Sequence, residues 1–395
     1  MKHLVLVGAG HAHAQVLLAW AANPLPDVVL TLVSPEPLAP YSGMVPGWLA
    51  GRYQFEEITI DFGALCAAAG AHWVEAELER LDPEKQSLHL STGESLVYDI
   101  VSLNVGSTLR PPAPSDTSTT LISMRPLSEL RGRYQAFVDN WSAERTDQPL
   151  TVTAVGGGAA GFESMLAVLH RLRQARPGRQ VNGALVSSGT ILLPGFAPAA
   201  RRSALRALEK AGVVVQLGGT WGENAERTSG LVLWATGAQA HDWQLDPLRR
   251  GHLAVSKQGF VRVDSQLRSL SHPQIFAVGD CTQWGSDEAD ALPKAGVYAV
   301  RMGPVLSQNL RATLLGTPLT AYAPQRRFLA LLATADGHAI ASRGGWGASG
   351  AWAWHLKDYI DRRFMRRFAM GPRLNAPPHR ATLLPTTSAL TGENP

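Results

Sequence analysis

The chain has 395 residues, 45% of them hydrophobic and 17% charged, with a mean hydropathy near zero. This is enough apolar material for two or three packed domains and enough polar surface to dissolve them, which excludes a fibrous or disordered chain. Lys and Arg outnumber Asp and Glu by only 36 to 32, too mild a bias to point to nucleic acid. The two cysteines, Cys66 and Cys281, are far apart, so there is neither a disulfide framework nor a closely spaced metal or redox pair, and a reducing compartment fits.

The first element is the run "HLVLV", a strand, followed by Gly8 and Gly10 and a helical pattern. Lys2 and the "AHA" of 12–14 imitate a secretory leader, but the apolar run is short and broken by glycines. Nowhere does the sequence approach the ~20 apolar residues that span a bilayer, so a cytoplasmic protein is expected. The turn begins like a G-x-G-x-x-G dinucleotide signature, yet His13 stands where the third small residue belongs. Its imidazole either bonds a cofactor or loop backbone, or is a satisfied histidine packed between helix and sheet. His11 and His13 have no acidic or cysteine neighbours at ligand spacing, so no metal is expected.

The second strand, "VVLTLVSPEP", ends in Ser34 and Pro35, with Glu36 displaced beyond it; an acidic residue near this point commonly holds an adenosine ribose. "APYSGMVPGW", 39–48, is rich in turn formers, and "RPPAPSDTSTT", 110–120, reads as a linker. Next, "TVTAVGGGAAGFESMLAVLHRL", 151–172, has a β-rich run, Gly156, Gly158 and Gly161 in full spacing, and an apolar helical period through Met165, Leu169 and Leu172. Two strand–glycine–helix units imply two nucleotide sites. The next strand of this unit ends in Ser187 and Ser188 rather than an acid, which removes the usual discrimination against NADP; Arg201 and Arg202 downstream either meet a phosphate or are solvated.

"LVLWATGA", 231–238, adds a strand ending near Gly237, and "HPQIFAVGDCTQW", 272–284, a strand ending in Gly279 and Asp280. "LPKAGVYAVRMGPVL", 292–306, reads as a helix started by Pro293. "FLALLATADGHAIASRGGWGASG" has the alternation of a hairpin. In 350–370, Trp352, Leu356, Ile360, Phe364 and Phe368 recur every four residues beside five basic residues, predicting one apolar seam. That seam suits either an anionic membrane surface or docking on the protein. Residues 371–395 read as an extended or disordered tail.

Taken together, "GAGHAHA", "SPEPLAPYSGMVPGWLAG", "GGGAAGFES", "VGDC", "LPKAGVYAVRMGPVL" and "WHLKDYIDRRFMRRF" resemble the pyridine nucleotide-disulfide oxidoreductase superfamily, in its type II NADH dehydrogenase branch. The likeness is closer still to the flavoprotein module sometimes fused to selenide, water dikinase. The implied fold class is α/β, with two Rossmann-like dinucleotide-binding domains, the FAD domain interrupted by the NAD(P) domain, plus a C-terminal element. The expected divisions are 1–110 and 246–325 for FAD, 118–245 for NAD(P), 326–370 for the C-terminal element and 371–395 for the tail.

The resemblance further implies FAD contact from Gly8, Gly10, His11, His13, Ser34, Pro35, Glu36, Tyr41, Ser42, Gly43, Met44, Gly106, Gly279, Asp280, Pro293, Lys294 and Ala295. NAD(P)H contact is implied for Gly156, Gly157, Gly158 and Gly161, and Gly237, where the central domain returns to the FAD domain, is a further cofactor-binding residue. Asp280 would bind the ribityl-phosphate portion of FAD, and Glu163, a candidate catalytic residue together with Lys294, would lie near the nicotinamide and flavin. Its bland alternative is an acid stabilised by the helix dipole. Lys294 would add positive charge beside the flavin or merely project into solvent, and the helix after it would aim its N-terminus at reduced flavin. Dithiol members of the superfamily carry paired cysteines, absent here, so a disulfide reductase is disfavoured.

The implied activity is an FAD-dependent NAD(P)H oxidoreductase passing electrons to an acceptor such as a quinone. The alternatives are reduction of a small selenium or sulfur compound, or a redox-sensing flavin scaffold with little turnover. Peripheral attachment to the inner face of the membrane and a homodimer both remain open.

Overall fold

The apolar run Lys2–Val7 forms strand β1, and its side chains divide alternately: Leu4 and Leu6 enter one core cluster, Val5 and Val7 another. Both faces are thus buried, as in a parallel sheet covered on two sides. The computed structural model describes residues 1–113, 119–222, 230–285, 292–325 and 327–369. The expected tail and part of the expected linker lie outside them.

Helix α1 (His11–Ala22) connects β1 to β2 (Val28–Val33); β3 (His72–Val74) and β4 (Ile100–Leu103) follow. The chain then builds a second sheet from β5 (Thr120–Ser123), β6 (Leu150–Val155), β7 (Val181–Ser187), β8 (Val213–Leu217) and β9 (Leu231–Trp234). It returns with β10 (Ile275–Ala277), which pairs with β4. Strand orders are β10-β4-β1-β2-β3 and β5-β9-β6-β7-β8, and all pairings in both sheets are parallel.

Helices α2 (Leu127–Ala143) and α3 (Ala159–Ala175) belong to the second unit; α3 lays Phe162, Met165 and Leu169 against Val152, Ala154 and Leu233. On the first sheet, α1 packs against α4 (Gly296–Leu315) through Leu17, Met302 and Leu306. An antiparallel meander of Leu78–Asp82, Ser87–Leu90 and Ser95–Val97 covers the opposite face. The helix expected to begin at Pro293 begins three residues later, with Ala295 as its cap.

The C-terminal element is larger than the expected hairpin: β11 (Ala330–Ala333), β12 (Ala339–Arg343) and β13 (Trp346–Gly350) form a three-stranded antiparallel sheet. Helix α5 (Ala351–Met365) packs on it, and Ala353 and Trp354 share a core cluster with Ile340, Leu332, Met44 and Trp48. The predicted single seam is corrected here. Phe364 and Phe368 are buried, but Trp352 and Ile360 are exposed; the inward stripe instead runs through Ala353, Trp354, Lys357, Asp361 and Phe364. No described helix is long and apolar enough to cross a membrane.

Candidate active site

The first glycine turn is built around a residue that sequence reasoning passed over. Gly8 has φ +95°, and a Cβ there would meet the Asn104 carbonyl oxygen at 2.5 Å; a Cβ on Gly10 would overlap the Asn104 side chain. Asn104, buried after β4, accepts from the backbone N–H of Ala12 (3.1 Å) and His13 (3.3 Å), and donates to the Val278 carbonyl (3.0 Å). It therefore joins the start of α1 to the turn after β10, satisfying two N–H groups that a helix start leaves open.

Of the two readings of His13, the geometry matches the packing one. The ring is fully buried, Nδ1 lies 2.7 Å from the Gly8 carbonyl and Nε2 2.9 Å from the Ser102 hydroxyl, so neither nitrogen is left for a ligand. Burial lowers its pKa to about 4, which keeps the imidazole neutral at ordinary pH. His11 turns the other way: its Nε2 accepts from the Ser42 N–H (3.4 Å) and its ring meets Tyr41 edge-on at 5.2 Å.

Four segments converge beside that histidine. The Tyr41–Met44 loop lies against the start of α4, where a Cβ on Gly296 would stand 2.7 Å from the Ser42 hydroxyl. Tyr41 packs on Phe364 with ring centroids 4.7 Å apart and the rings tilted by 36°. Lys357 donates to the Gly43 carbonyl (2.5 Å) and pairs with Asp361 (2.7 Å), both side chains less than a tenth exposed. Burial, then the Asp361 carboxylate, push the Tyr41 phenol above its ordinary pKa.

Glu163 completes the group from α3. It is five residues beyond the cap Gly158, past the first turn, so the dipole-stabilised reading is corrected. Its carboxylate accepts from the Ala333 N–H of β11 at 2.7 Å. Burial raises its pKa to about 7, with Lys357 opposing that shift and Asp361 adding to it. A carboxyl poised there can hold or release a proton near neutral pH.

Asp280, after Gly279 (φ +74°), takes Arg125 on its Oδ2 at 2.5 Å. Lys294 does not project into solvent: its ammonium donates to the Thr282 carbonyl and lies 3.6 Å from the Phe260 ring centroid. Pro293 is exposed and Ala295 caps α4. Ser34 is buried and donates to the Glu36 carbonyl (2.9 Å), whereas Pro35 and Glu36 are exposed on the rim of a cavity of about 160 Å³ that also touches Phe55, Glu75 and Arg131.

At the second turn Gly156 has φ +127°, with a Cβ position overlapping the Ala235 carbonyl, and Gly161 presses on the Gly156 carbonyl. These close approaches are what the glycine spacing serves. Gly157 lies against the Ser187 hydroxyl, while Gly237 and Ser188 are exposed. Around Gly158, and around Gly106 with φ +70°, a Cβ would meet nothing within 4 Å. Each glycine turn therefore leads from a strand's carboxyl end to a helix N-terminus with open space alongside, which fits the pyrophosphate of a dinucleotide.

Residues 2–303 match the pyridine nucleotide-disulphide oxidoreductase family. The chain belongs to that family. An NADH dehydrogenase-like protein of Mycobacterium tuberculosis is 26% identical over 349 residues, 81% of this chain and 83% of that one. A demethylphylloquinone reductase of Synechocystis is 24% identical over 335 residues, covering 80% and 79%. Among solved structures, the sulfide:quinone oxidoreductase of Aquifex aeolicus superposes with a TM-score of 0.74 at 17% identity, over 93% of this chain and 91% of that one.

This member of the pyridine nucleotide-disulphide oxidoreductase family has no redox-active disulfide. Cys66 and Cys281 are free and buried in separate core clusters, and burial raises their pKa values to about 12 and about 11. Neither supplies a ready thiolate. Asn104, Arg125, Lys357 and Asp361 were not anticipated as site residues. Only the last two left a trace in the sequence, an i,i+4 pairing within "KDYID".

Proposed function

We propose that the chain is an FAD-dependent NAD(P)H oxidoreductase whose electron acceptor is a quinone. The observation that carries this is the placement of Glu163, beyond the second glycine turn and bonded to the Ala333 N–H, within electrostatic reach of the Lys357–Asp361 pair, whose ammonium holds the Gly43 carbonyl of the Tyr41–Met44 loop. The names of the relatives support it: one is NADH dehydrogenase-like, and two act on quinones. Bound FAD supplies the transfer of a hydride and the onward passage of electrons.

The protein's part is placement and proton handling. Gly106, with open space beside it, gives FAD room, while Gly8, Gly10 and Gly279 let Asn104 tie the surrounding turns together; His11 holds the Ser42 N–H in place, and His13 fixes α1 from behind. The glycines at 156, 157, 158 and 161 make the nicotinamide nucleotide site. Ser187 and Ser188 leave it without an acid to repel the extra phosphate of NADPH. Glu163, with its pKa near 7, holds the proton a quinone needs on reduction, and the Lys357–Asp361 pair beside it fixes the local charge.

Anaerobic mixing with NADH, and separately with NADPH, is expected to bleach the flavin absorbance within seconds, and a soluble quinone is expected to restore it. A flavin-loaded chain bleached by neither nucleotide would defeat the proposal.

The exposed aromatics Trp346, Trp352 and Tyr359, with Ile360, support delivery of quinone from a membrane. Trp346 and Trp352 lie 6.3 Å apart by ring centroids, and Arg363 is exposed one helical turn beyond Tyr359 and Ile360. Anionic vesicles at low salt are expected to sediment the chain, and a Trp346→Ser/Trp352→Ser variant is expected to stay in the supernatant. A wild-type chain that also stays in the supernatant would rule out this membrane contact.

A further inference from the structure

Arg125 follows β5, the edge strand of the second sheet, yet its guanidinium reaches the first. Nη1 meets Asp280 Oδ2 at 2.5 Å and also bonds the Ser107 hydroxyl, and Nη2 reaches the Lys294 carbonyl at 3.4 Å. The three acceptors come from the segment after β4, the turn after β10 and the approach to α4. Each of these segments contains a residue assigned above to FAD: Gly106, Asp280 and Ala295. Lys294, the expected cation here, has its ammonium occupied by the Thr282 carbonyl and the Phe260 ring. Arg125 is thus the cation on the carboxylate.

We propose that Arg125 is a positioning residue for FAD, acting through Asp280 and setting the affinity and reduction potential of the bound flavin. The inference rests on the functional reading above. By holding Oδ2, Arg125 orients the carboxylate and leaves Oδ1 to accept from a cofactor hydroxyl. Its own charge stands beside the start of α4, adding to the positive end of that helix dipole, and favours the more negative, reduced cofactor. Because Arg125 belongs to the nucleotide-binding sheet, it also links the placement of that sheet to the electronics of the flavin.

The test uses the full-length, flavin-loaded chain. Arg125→Gln is expected to weaken FAD binding about tenfold. It is also expected to lower the midpoint potential by about 30 mV, the two-electron equivalent of a tenfold change. Arg125→Lys is expected to recover most of the potential. Arg110→Gln serves as the control: Arg110 also crosses between chain segments, bonding Gln239, the Ala240 carbonyl and Asp242, but does not touch Asp280. It is expected to leave the potential unchanged. A wild-type chain that takes up no FAD would overturn the functional reading and this inference with it. A wild-type chain that holds FAD while Arg125→Gln keeps the same affinity and potential would overturn this inference alone. So would an equal shift in Arg110→Gln.

Discussion

Replacing Glu163 with Gln is expected to lower steady-state quinone reduction by about 100-fold, within the range found for removing a positioned proton donor. It is also expected to erase an inflection near pH 7 from the pH–rate profile. The amide keeps an oxygen for the Ala333 N–H, so the link from α3 to β11 survives and only the titrating proton is lost. Bleaching by the nicotinamide should change far less, because hydride transfer asks nothing of that carboxyl. The same group makes a second readout, in stability. Its pKa is raised in the folded chain from 4.5 to about 7, so between those values the folded state holds a proton that the unfolded state has released. Stability therefore falls as pH rises through this window. Urea unfolding of the wild type across pH 4.5–7 should show this falling component, and Glu163→Gln should lack it. A variant that retains the kinetic inflection would assign it to another group.

Lys357→Met is expected to cost about 3–5 kcal/mol of folding stability, the usual penalty for stranding one partner of a buried ion pair. Asp361 would be left as a buried carboxylate with Tyr41 beside it, and the Gly43 carbonyl would lose its donor. Lys357→Met/Asp361→Leu should recover most of the loss, because the uncompensated charge is gone. Its turnover should nevertheless remain below wild type, since the ammonium that anchored the Gly43 loop is missing. Urea denaturation midpoints with constant m-values would measure both changes. A single variant within about 1 kcal/mol of wild type would show that the pair is not a closed, desolvated contact.

The features legible in the sequence were those specified over short distances. A strand, a tight glycine turn and a following helix occupy some twenty consecutive residues, so both glycine turns, the Gly279–Asp280 turn and the parallel class could be read directly. The seam in 350–370 was misread for a geometrical reason. Residues four apart on a helix advance by about 40° beyond a full turn, so a four-residue repeat sustained from Trp352 to Phe368 winds from one face to another. Its ends accordingly fall outside and inside, and the inward stripe carries Lys357 and Asp361. Asn104 and Arg125 were invisible for a different reason. Their partners are Ala12, His13 and Val278 for the first, and Ser107 and Asp280 for the second, all brought close only by the folded sheets.

The His13 contact also constrains how this turn can change over evolutionary time. Reverting it to the small residue of the common signature would not restore the common arrangement, because the Gly8 carbonyl and the Ser102 hydroxyl would each lose a buried partner. The substitutions that separate this turn from the ordinary one are therefore coupled. A lineage reaches either version by passing through less stable intermediates or by changing several positions nearly together.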